Sequence, residues 1–245
     1  MTLSPDTFAG RHYIVTGGGS GIGSATAALL TRLGASVTVL DLDISRVPES
    51  IAAVKVDACD EFAVREAVTS AATQAPLSGL VNSVGIEFVS DVVDTTLAAW
   101  ERVIGTNLTS YHIVTSAVLP YLSDGAAIVN VASQLGLVGA RRFAAYTASK
   151  SAVIGYSRST ALDLAPRGIR VNVVCPGAVD TPLLQRQFAD GPGPQGSLED
   201  LVGMHPIGRL GRPSEIAEPI AFLLSDAASF ITASVVVADG GYVAQ

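Results

Sequence analysis

The chain has 245 residues, 49% hydrophobic and 15% charged, with a formal net charge of -7. That apolar content is ample for a core and excludes a disordered chain, while the acidic balance lacks the basic footprint used to bind nucleic acid or anionic lipid. No stretch reaches the roughly 18 consecutive apolar residues of a membrane span, and Met1 to Arg11 lacks the basic-then-apolar order of a secretory leader. The expectation is therefore a soluble cytoplasmic protein with no nucleic-acid or membrane partner.

Short β-branched runs alternate with amphipathic stretches from His12 to Val237. Strands are expected near 12–16, 35–40, 52–56, 78–82, 126–131, 169–174 and 234–237, each apolar on both faces, as parallel strands covered by helices must be. Helices are expected near 21–33, 60–73, 96–118, 145–164 and 214–224. The segment Leu42 to Ser50 contains Pro48 and is too short for a full helix, so that crossover should shrink to a turn. This order predicts one doubly wound α/β domain over 1–245, a parallel sheet of about seven strands with helices on both faces and a ligand crevice at the strand carboxyl ends. The loop-like run Asp190 to Ser197 belongs to an expected flexible substrate flap over about 183–208 rather than to a domain boundary.

Thr16-Gly17-Gly18-Gly19-Ser20-Gly21-Ile22-Gly23 follows the first strand and opens the first helix. Glycines let the backbone turn tightly beside a pyrophosphate, whose charge meets free N–H groups and the positive end of a helix dipole. Gly17, Gly19, Ser20, Gly21, Ile22 and Gly23 are thus candidate dinucleotide contacts. The second strand leads to Asp41, eighteen residues past Gly23, where a carboxylate would accept both hydroxyls of an adenosine ribose and repel a 2'-phosphate. With Asp43 adding to that repulsion and Ser20 where a basic residue would favour the phosphate, NAD is expected over NADP. Asp57, with Ala58 beside it, could meet the adenine, and after Asn82 the small residues at 83–85, Gly85 among them, could let the backbone pass close to the adenosine, making Asn82 and Gly85 further candidate contacts; the alternative for each is a helix cap or turn residue.

Tyr146 and Lys150 stand four apart within a helical pattern, on one face. The chain has thirteen arginines but only two lysines, and no other tyrosine has Lys four positions on. A free phenol titrates near pH 10, and a neighbouring ammonium should stabilise its phenolate, making Tyr146 a competent acid/base. Ser133, at the end of the fifth strand, could share the same substrate oxygen. His12, His112 and His205 are scattered without ligand spacing, so no metal site is expected. The two cysteines, Cys59 and Cys175, are expected as unpaired small core residues.

Together the glycine turn, Ser133, Tyr146-Thr147-Ala148-Ser149-Lys150 and Pro176-Gly177 make the chain resemble the short-chain dehydrogenase/reductase family over essentially its whole length. The resemblance implies a Rossmann-like domain, a Ser-Tyr-Lys set, and a helix asparagine, matched by Asn107, that positions a water in a proton relay through Lys150. It also implies that Pro176, Gly177, Val179 and Thr181 hold the nicotinamide end, that Lys150 bonds the nicotinamide ribose, and that four copies assemble as a homotetramer through the long helices and the carboxyl-terminal segment. Asn82-Ser83-Val84-Gly85 departs from the family's usual Asn-Asn-Ala-Gly. A substrate pocket bounded by Gln134, Leu135, residues 138–143, Glu87, Phe88 and the flap is mostly apolar, with Arg141, Arg142 and Arg186 nearby. It suits a secondary alcohol or cyclic diol and the matching ketone. The alternatives are an NADPH-dependent carbonyl or 3-oxoacyl reductase and a non-enzymatic dinucleotide sensor.

Overall fold

Strand β1 (His12–Thr16) is buried along its whole length, and its side chains alternate between two cores: Tyr13 and Val15 enter one, Ile14 the other. The two-residue period of an extended chain divides them. The fifth strand repeats the division, with Val129 and Val131 on the first side and Ile128 on the second. Strands apolar on both faces need a helical layer on each side, the condition that favours parallel sheets.

The computed structural model describes residues 3–73, 75–189, 191 and 193–245. Within them β1 is joined by β2 (Ser36–Asp41), β3 (Ala52–Lys55), β4 (Leu77–Asn82), β5 (Leu122–Val131), β6 (Arg170–Pro176) and β7 (Val235–Ala238). All neighbours pair parallel in the order β3-β2-β1-β4-β5-β6-β7. The helices, in chain order, are α1 (Gly21–Arg32), α2 (Glu61–Ala72), α3 (Leu97–Ile104), α4 (Ser110–Val118), α5 (Ala144–Leu164), α6 (Pro182–Gln185), α7 (Leu198–Gly203) and α8 (Pro213–Leu224). Helices α1 and α8 pack together over the first core, through residues such as Leu30 and Ile220. The second core is closed by α2, α4 and α5, through Val68, Val114 and Ala161. Strand order reverses between β1 and β4, which opens a crevice at the carboxyl ends of the strands.

All seven expected strands and five expected helices are present, most within two residues of their expected bounds, and β5 starts at Leu122, four residues early. Leu42 to Ser50 carries no helix, in keeping with Pro48. Two expectations need correction. The helix expected over 96–118 is interrupted by a π-helical turn, Gly105–Thr109, of the kind that often accompanies functional sites. Cys175 is a buried core thiol, but Cys59 is exposed, because it sits in the turn before α2 rather than on a strand. The flap holds α6, a 3-10 turn (Arg186–Phe188) and α7, whose amino end is closed by a reciprocal Ser197–Asp200 capping box; Asp190 and Pro192 of that flap lie outside the described residues.

At the opposite end of β1 from the crevice, His12 is buried, with Nε2 2.9 Å from the Thr38 hydroxyl. Burial holds its imidazole pKa below the ordinary value. A group with a depressed folded pKa takes up its proton first in the unfolded chain, so its contribution to stability falls as pH drops through about 6.5 toward the folded pKa. The urea midpoint is accordingly expected to fall more between pH 7.5 and pH 5.5 in the wild type than in His12→Asn. Equal falls in the two proteins would show that this imidazole is not the titrating group.

Candidate active site

The turn between β1 and α1 begins at Gly17, whose φ of +67° is a left-handed value. Ser20, the N-cap of α1, is extended and its hydroxyl makes no capping bond, so the first amides of the helix have no intrahelical partner and face the crevice. Asp41, at the end of β2, closes this region: Oδ2 accepts from Gly19 N at 2.8 Å and Oδ1 from Asp43 N at 3.0 Å. The fit is tight, since a Cβ on Gly19 would lie 2.2 Å from the Asp43 carbonyl and 3.0 Å from Asp41 Oδ2. The Gly19 amide is therefore committed to Asp41 and is not a free phosphate donor. At the far side of the turn, the Thr181 methyl would meet a Cβ on Gly21 at 3.3 Å, so Thr181 closes over the glycines.

Gly17, Gly19 to Gly23, Asp41, Asp57, Ala58, Gly85, Pro176, Gly177, Val179 and Thr181 all line one cleft with Ser133, Tyr146 and Lys150. Asp57 is exposed there, accepting from Cys59 N at 2.9 Å, while the cap of α2 is Asp60, which accepts from Ala63 N at 3.0 Å. Asn82 does not reach the cleft. It is fully buried behind it, donating to Asn130 Oδ1 at 2.9 Å and toward Thr115 Oγ1 at 3.3 Å, because a side chain at that position of β4 points into the sheet's interior. Gly85 is in the cleft but serves the other end: a Cβ there would come within 3.3 Å of Lys150 Nζ and 3.5 Å of Asn107 Oδ1.

One turn of α5 places Tyr146 and Lys150 side by side, 7% and 4% exposed. Lys150 Nζ donates to the Val131 carbonyl at 3.0 Å and lies 5.9 Å from the Tyr146 ring centroid and 5.5 Å from that of Tyr111. Burial pushes the ammonium down to about 8, against the charges of Cys175 and Glu87. The expected lowering of the Tyr146 phenol is not found in the protein alone. Burial and then Glu87 raise it above its ordinary value, and the hydrogen bond from Ser133 offsets only part of that. The physical reason is desolvation: a buried phenolate lacks the water that would stabilise its charge, and the ammonium is already engaged by a carbonyl. Ser133 ends the β5 region with its hydroxyl accepting from Leu135 N at 3.1 Å.

Asn107, in the π-turn, is fully buried with both amide hydrogens bonded and one acceptor position of Oδ1 filled. Oδ1 accepts from Ile86 N at 2.8 Å, and Nδ2 donates to Ile86 O at 2.9 Å and to Ser149 Oγ at 3.0 Å. It ties the loop after β4 to α5. Two contributors were not singled out from sequence. Tyr111, four residues past Asn107, has its hydroxyl 2.9 Å from the carbonyls of Val84 and Val131, so it shares with Lys150 the Val131 acceptor; the four-residue spacing was the signal. Ser149 receives Asn107 and donates to the Tyr146 carbonyl at 2.7 Å.

The cleft encloses about 970 Å³, near the upper end of the range for ligand sites, and is long enough to join the glycine turn to Tyr146. Of the expected substrate-pocket residues, Gln134, Leu135, Phe143, Glu87, Arg186 and Leu201 line it; Phe88, residues 138–142 and His205 do not. Arg142 is drawn outward toward Asp91, 3.8 Å away. His205 instead borders a smaller cavity, its Nε2 accepting from Ala178 N at 3.1 Å and its Nδ1 2.9 Å from Leu201 O. Across the cleft mouth, Gln187 of the flap donates through its amide to the Glu87 carboxylate. The glycine cradle, the Asp41 carboxylate at the cleft wall and the Pro176, Gly177 and Ala178 lining fit a nicotinamide dinucleotide laid along the cleft.

Comparison with known proteins bears on this arrangement. A family model described as enoyl-(acyl carrier protein) reductase matches residues 17–243. The cis-4-hydroxycyclohexanecarboxylate dehydrogenase of Sinomonas cyclohexanicum is 40% identical over 98% of this chain and 99% of its own. The cyclohexanol dehydrogenase of Acinetobacter sp. strain SE19 is 37% identical over 99% of both chains. Among solved structures, the ligand-free aldohexose dehydrogenase of Thermoplasma acidophilum superposes with a TM-score of 0.92 at 32% identity, covering 99% of this chain and 97% of the other.

The contact between Asp41 and Gly19 yields a direct test. In Gly19→Ala the new methyl must displace the Asp43 carbonyl or the Asp41 carboxylate, so dinucleotide affinity read by NADH fluorescence is expected to weaken at least about tenfold, or ~1.4 kcal/mol. The thermal midpoint of the nucleotide-free protein should fall as well, so affinity is read well below that midpoint, and unchanged binding there would remove Gly19 from the site.

Proposed function

The chain belongs to the short-chain dehydrogenase/reductase family, and on that premise we propose that it interconverts a secondary alcohol, cyclic alcohols and diols included, with the matching ketone, using NAD. The observation that carries this reading is the buried pair Tyr146 and Lys150 beside Ser133, at the opposite end of one cleft from the glycine turn and Asp41. When bound, the nicotinamide ring supplies the carbon that accepts or returns the hydride and, in its oxidised form, a positive charge beside the phenol.

In the oxidation direction, Ser133 holds the alcohol oxygen through its hydroxyl, and Tyr146 as phenolate takes the alcohol proton while the carbinol hydrogen leaves with its electron pair. In reduction, the Tyr146 phenol returns that proton to the carbonyl oxygen. The resting cleft favours the phenol, because burial holds Tyr146 above its ordinary pKa. Lys150, pushed down to about 8, still carries a proton at neutral pH and steadies the phenolate once formed; from that position it also serves the nicotinamide ribose. Asn107 takes part in the proton relay through its place beside Lys150, with its amide committed to Ile86 and Ser149. Val179 and Thr181 would hold the carboxamide, with Pro176 and Gly177 lining the same part of the cleft, and Asp57 and Ala58 would meet the adenine.

Preference for NAD rests on Asp41, whose carboxylate occupies the space beside Gly19 that a 2'-phosphate would enter. The same contact disfavours the NADPH-dependent carbonyl or 3-oxoacyl reductase reading. The joint presence of Ser133, Tyr146 and Lys150 disfavours a dinucleotide sensor. We further propose a cytoplasmic homotetramer, with exposed Leu97 and Leu162 on the long helical segments as apolar contacts, and a flap over 183–208 that moves to admit substrate. No described helix is long and apolar enough to cross a membrane.

With a panel of secondary alcohols, Tyr146→Phe is expected to retain less than about a tenth of wild-type turnover, a loss above ~1.4 kcal/mol, and to keep its NADH affinity. Lys150→Ala should lose both turnover and affinity. Wild-type oxidation should rise with pH from 7 toward 9, because the phenolate fraction grows tenfold per unit below its pKa, with a weaker slope above about 8 as the Lys150 charge is lost. More than a tenth of turnover in the phenylalanine variant would overturn the acid/base role.

Asp41→Ala is expected to lower the NAD-to-NADP ratio of kcat/KM at least about tenfold, as removal of one close carboxylate from a phosphate's path should. An unchanged ratio would place nucleotide selection elsewhere.

A further inference from the structure

A carboxylate lines the same cleft as Ser133 and Tyr146, and no cation among the described residues forms an ion pair with it. Glu87 follows β4, lines the same cleft as Ser133 and Tyr146, and is half-buried. Its one hydrogen-bond partner among the described residues is the amide of Gln187, exactly one hundred residues on and carried by the flap. No ion pair among the described residues includes it, and the other lining cations besides Lys150, namely Arg46, Arg102 and Arg186, are solvent-exposed. An ionised carboxylate offers about four acceptor positions, and Gln187 uses one. A half-buried acceptor left with unspent capacity is costly unless something else donates to it.

We propose that Glu87 is the specificity-determining residue of the substrate end, accepting a hydrogen bond from a second hydroxyl of the substrate and turning away substrates that carry a carboxylate. This rests on the alcohol–ketone reading above. The carboxyl is pushed up to about 7 by burial, with Gln187 and Lys150 pulling the other way, as expected of an acceptor still short of donors. It lines the same cleft as Ser133, Tyr146 and Lys150, so a ring held by its reacting oxygen at Ser133 and Tyr146 can turn a second hydroxyl toward this carboxylate. A cyclic diol satisfies both contacts. Cyclohexanol leaves Glu87 unanswered, and a ring carboxylate, such as the one in the name of the Sinomonas relative's substrate, would set two negative charges against each other. Gln187 ties the selection to the 183–208 segment, because the amide that bonds Glu87 is carried by it.

The test compares kcat/KM for the 1,2-, 1,3- and 1,4-cyclohexanediols, cyclohexanol and 4-hydroxycyclohexanecarboxylate in the wild type, Glu87→Leu and Glu87→Gln. In the wild type at least one diol should exceed cyclohexanol by about tenfold, the range a single hydrogen bond to a charged group spans, with the difference mainly in KM. Glu87→Leu should collapse that ratio to near unity and improve the ring carboxylate relative to cyclohexanol. Glu87→Gln, which keeps an acceptor oxygen but no charge, should retain part of the diol preference while also relieving the bias against the carboxylate. A diol-to-cyclohexanol ratio that is flat in the wild type, or unaltered in Glu87→Leu, overturns the inference. If the wild type turns over none of these alcohols with NAD or NADP, the dehydrogenase reading falls instead. Glu87 is then judged separately by the thermal shift of the NADH complex with diol against cyclohexanol, where the absence of a Glu87-dependent difference overturns it.

Discussion

Placing an ammonium in a nearly dry site costs several kcal/mol even after the protein relaxes. At Lys150 that cost is offset by the Val131 carbonyl at 3.0 Å and by the faces of the Tyr111 and Tyr146 rings. The charge survives at neutral pH by a small margin, which is what makes it useful. A lysine with abundant partners would be a fixed charge, and one with none would be neutral. Here the side chain has room beside Gly85, where a Cβ would crowd Nζ at 3.3 Å, a carbonyl from the end of β5, and a helix that presents Tyr146 one turn before it. The surrounding structure can be read as the set of conditions that keep this single charge beside a phenol and the open end of a cleft.

Burial acts on the two members of the pair in opposite senses, raising the phenol and lowering the ammonium. In each case it favours the neutral form. The cleft by itself thus favours the neutral phenol, and a positive charge placed beside it would shift the balance toward the phenolate. That balance links the two ends of the site. The glycine turn and Asp41 stand in the same cleft as the pair, and His205 fixes the loop after β6 by accepting from Ala178 N while held to Leu201 of α7. The flap is therefore anchored at its carboxyl-terminal end to the same backbone that shapes the floor of the cleft.

Much of this was legible from residues alone because the chemistry is local. Gly17 to Gly23 lie in one turn, and Tyr146 and Lys150 in one turn of α5, so spacing brought each set together before any tertiary contact was known. The seven strands were legible for a similar reason: β-branched runs with both faces apolar admit few arrangements. What could not be read depended on contacts distant in sequence or on burial. Asn82 looked like a cleft residue by its place at a strand end, yet its side chain turns inward to Asn130, forty-eight residues away. The spacing of Tyr146 and Lys150 suggested an acidified phenol, but a spacing carries no information about desolvation, which exceeds the effect of the ammonium. Gln187 and Glu87 meet only because the flap folds across the cleft, and nothing in either local sequence marks the other.

The misplacement of Asn82 also explains how the catalytic distances are kept. Apolar packing alone would allow α5 to slide along the sheet, since one aliphatic contact replaces another at little cost. Behind the cleft, Asn82 Nδ2 donates to Asn130 Oδ1, Asn130 Nδ2 donates to Ser157 Oγ at 2.8 Å, and Ser157 Oγ donates to the Val153 carbonyl at 2.6 Å. Buried polar groups tolerate no such sliding, because every displaced partner leaves a donor or acceptor unsatisfied. The chain of bonds runs from β4 through β5 into α5, two turns beyond Lys150. Ser133 is carried by the end of β5, and Tyr146 and Lys150 by α5, so the register that Asn130 and Ser157 enforce is the same register that sets the serine hydroxyl against the phenol. Two asparagines buried behind the cleft thereby hold Ser133 in register with Tyr146 and Lys150.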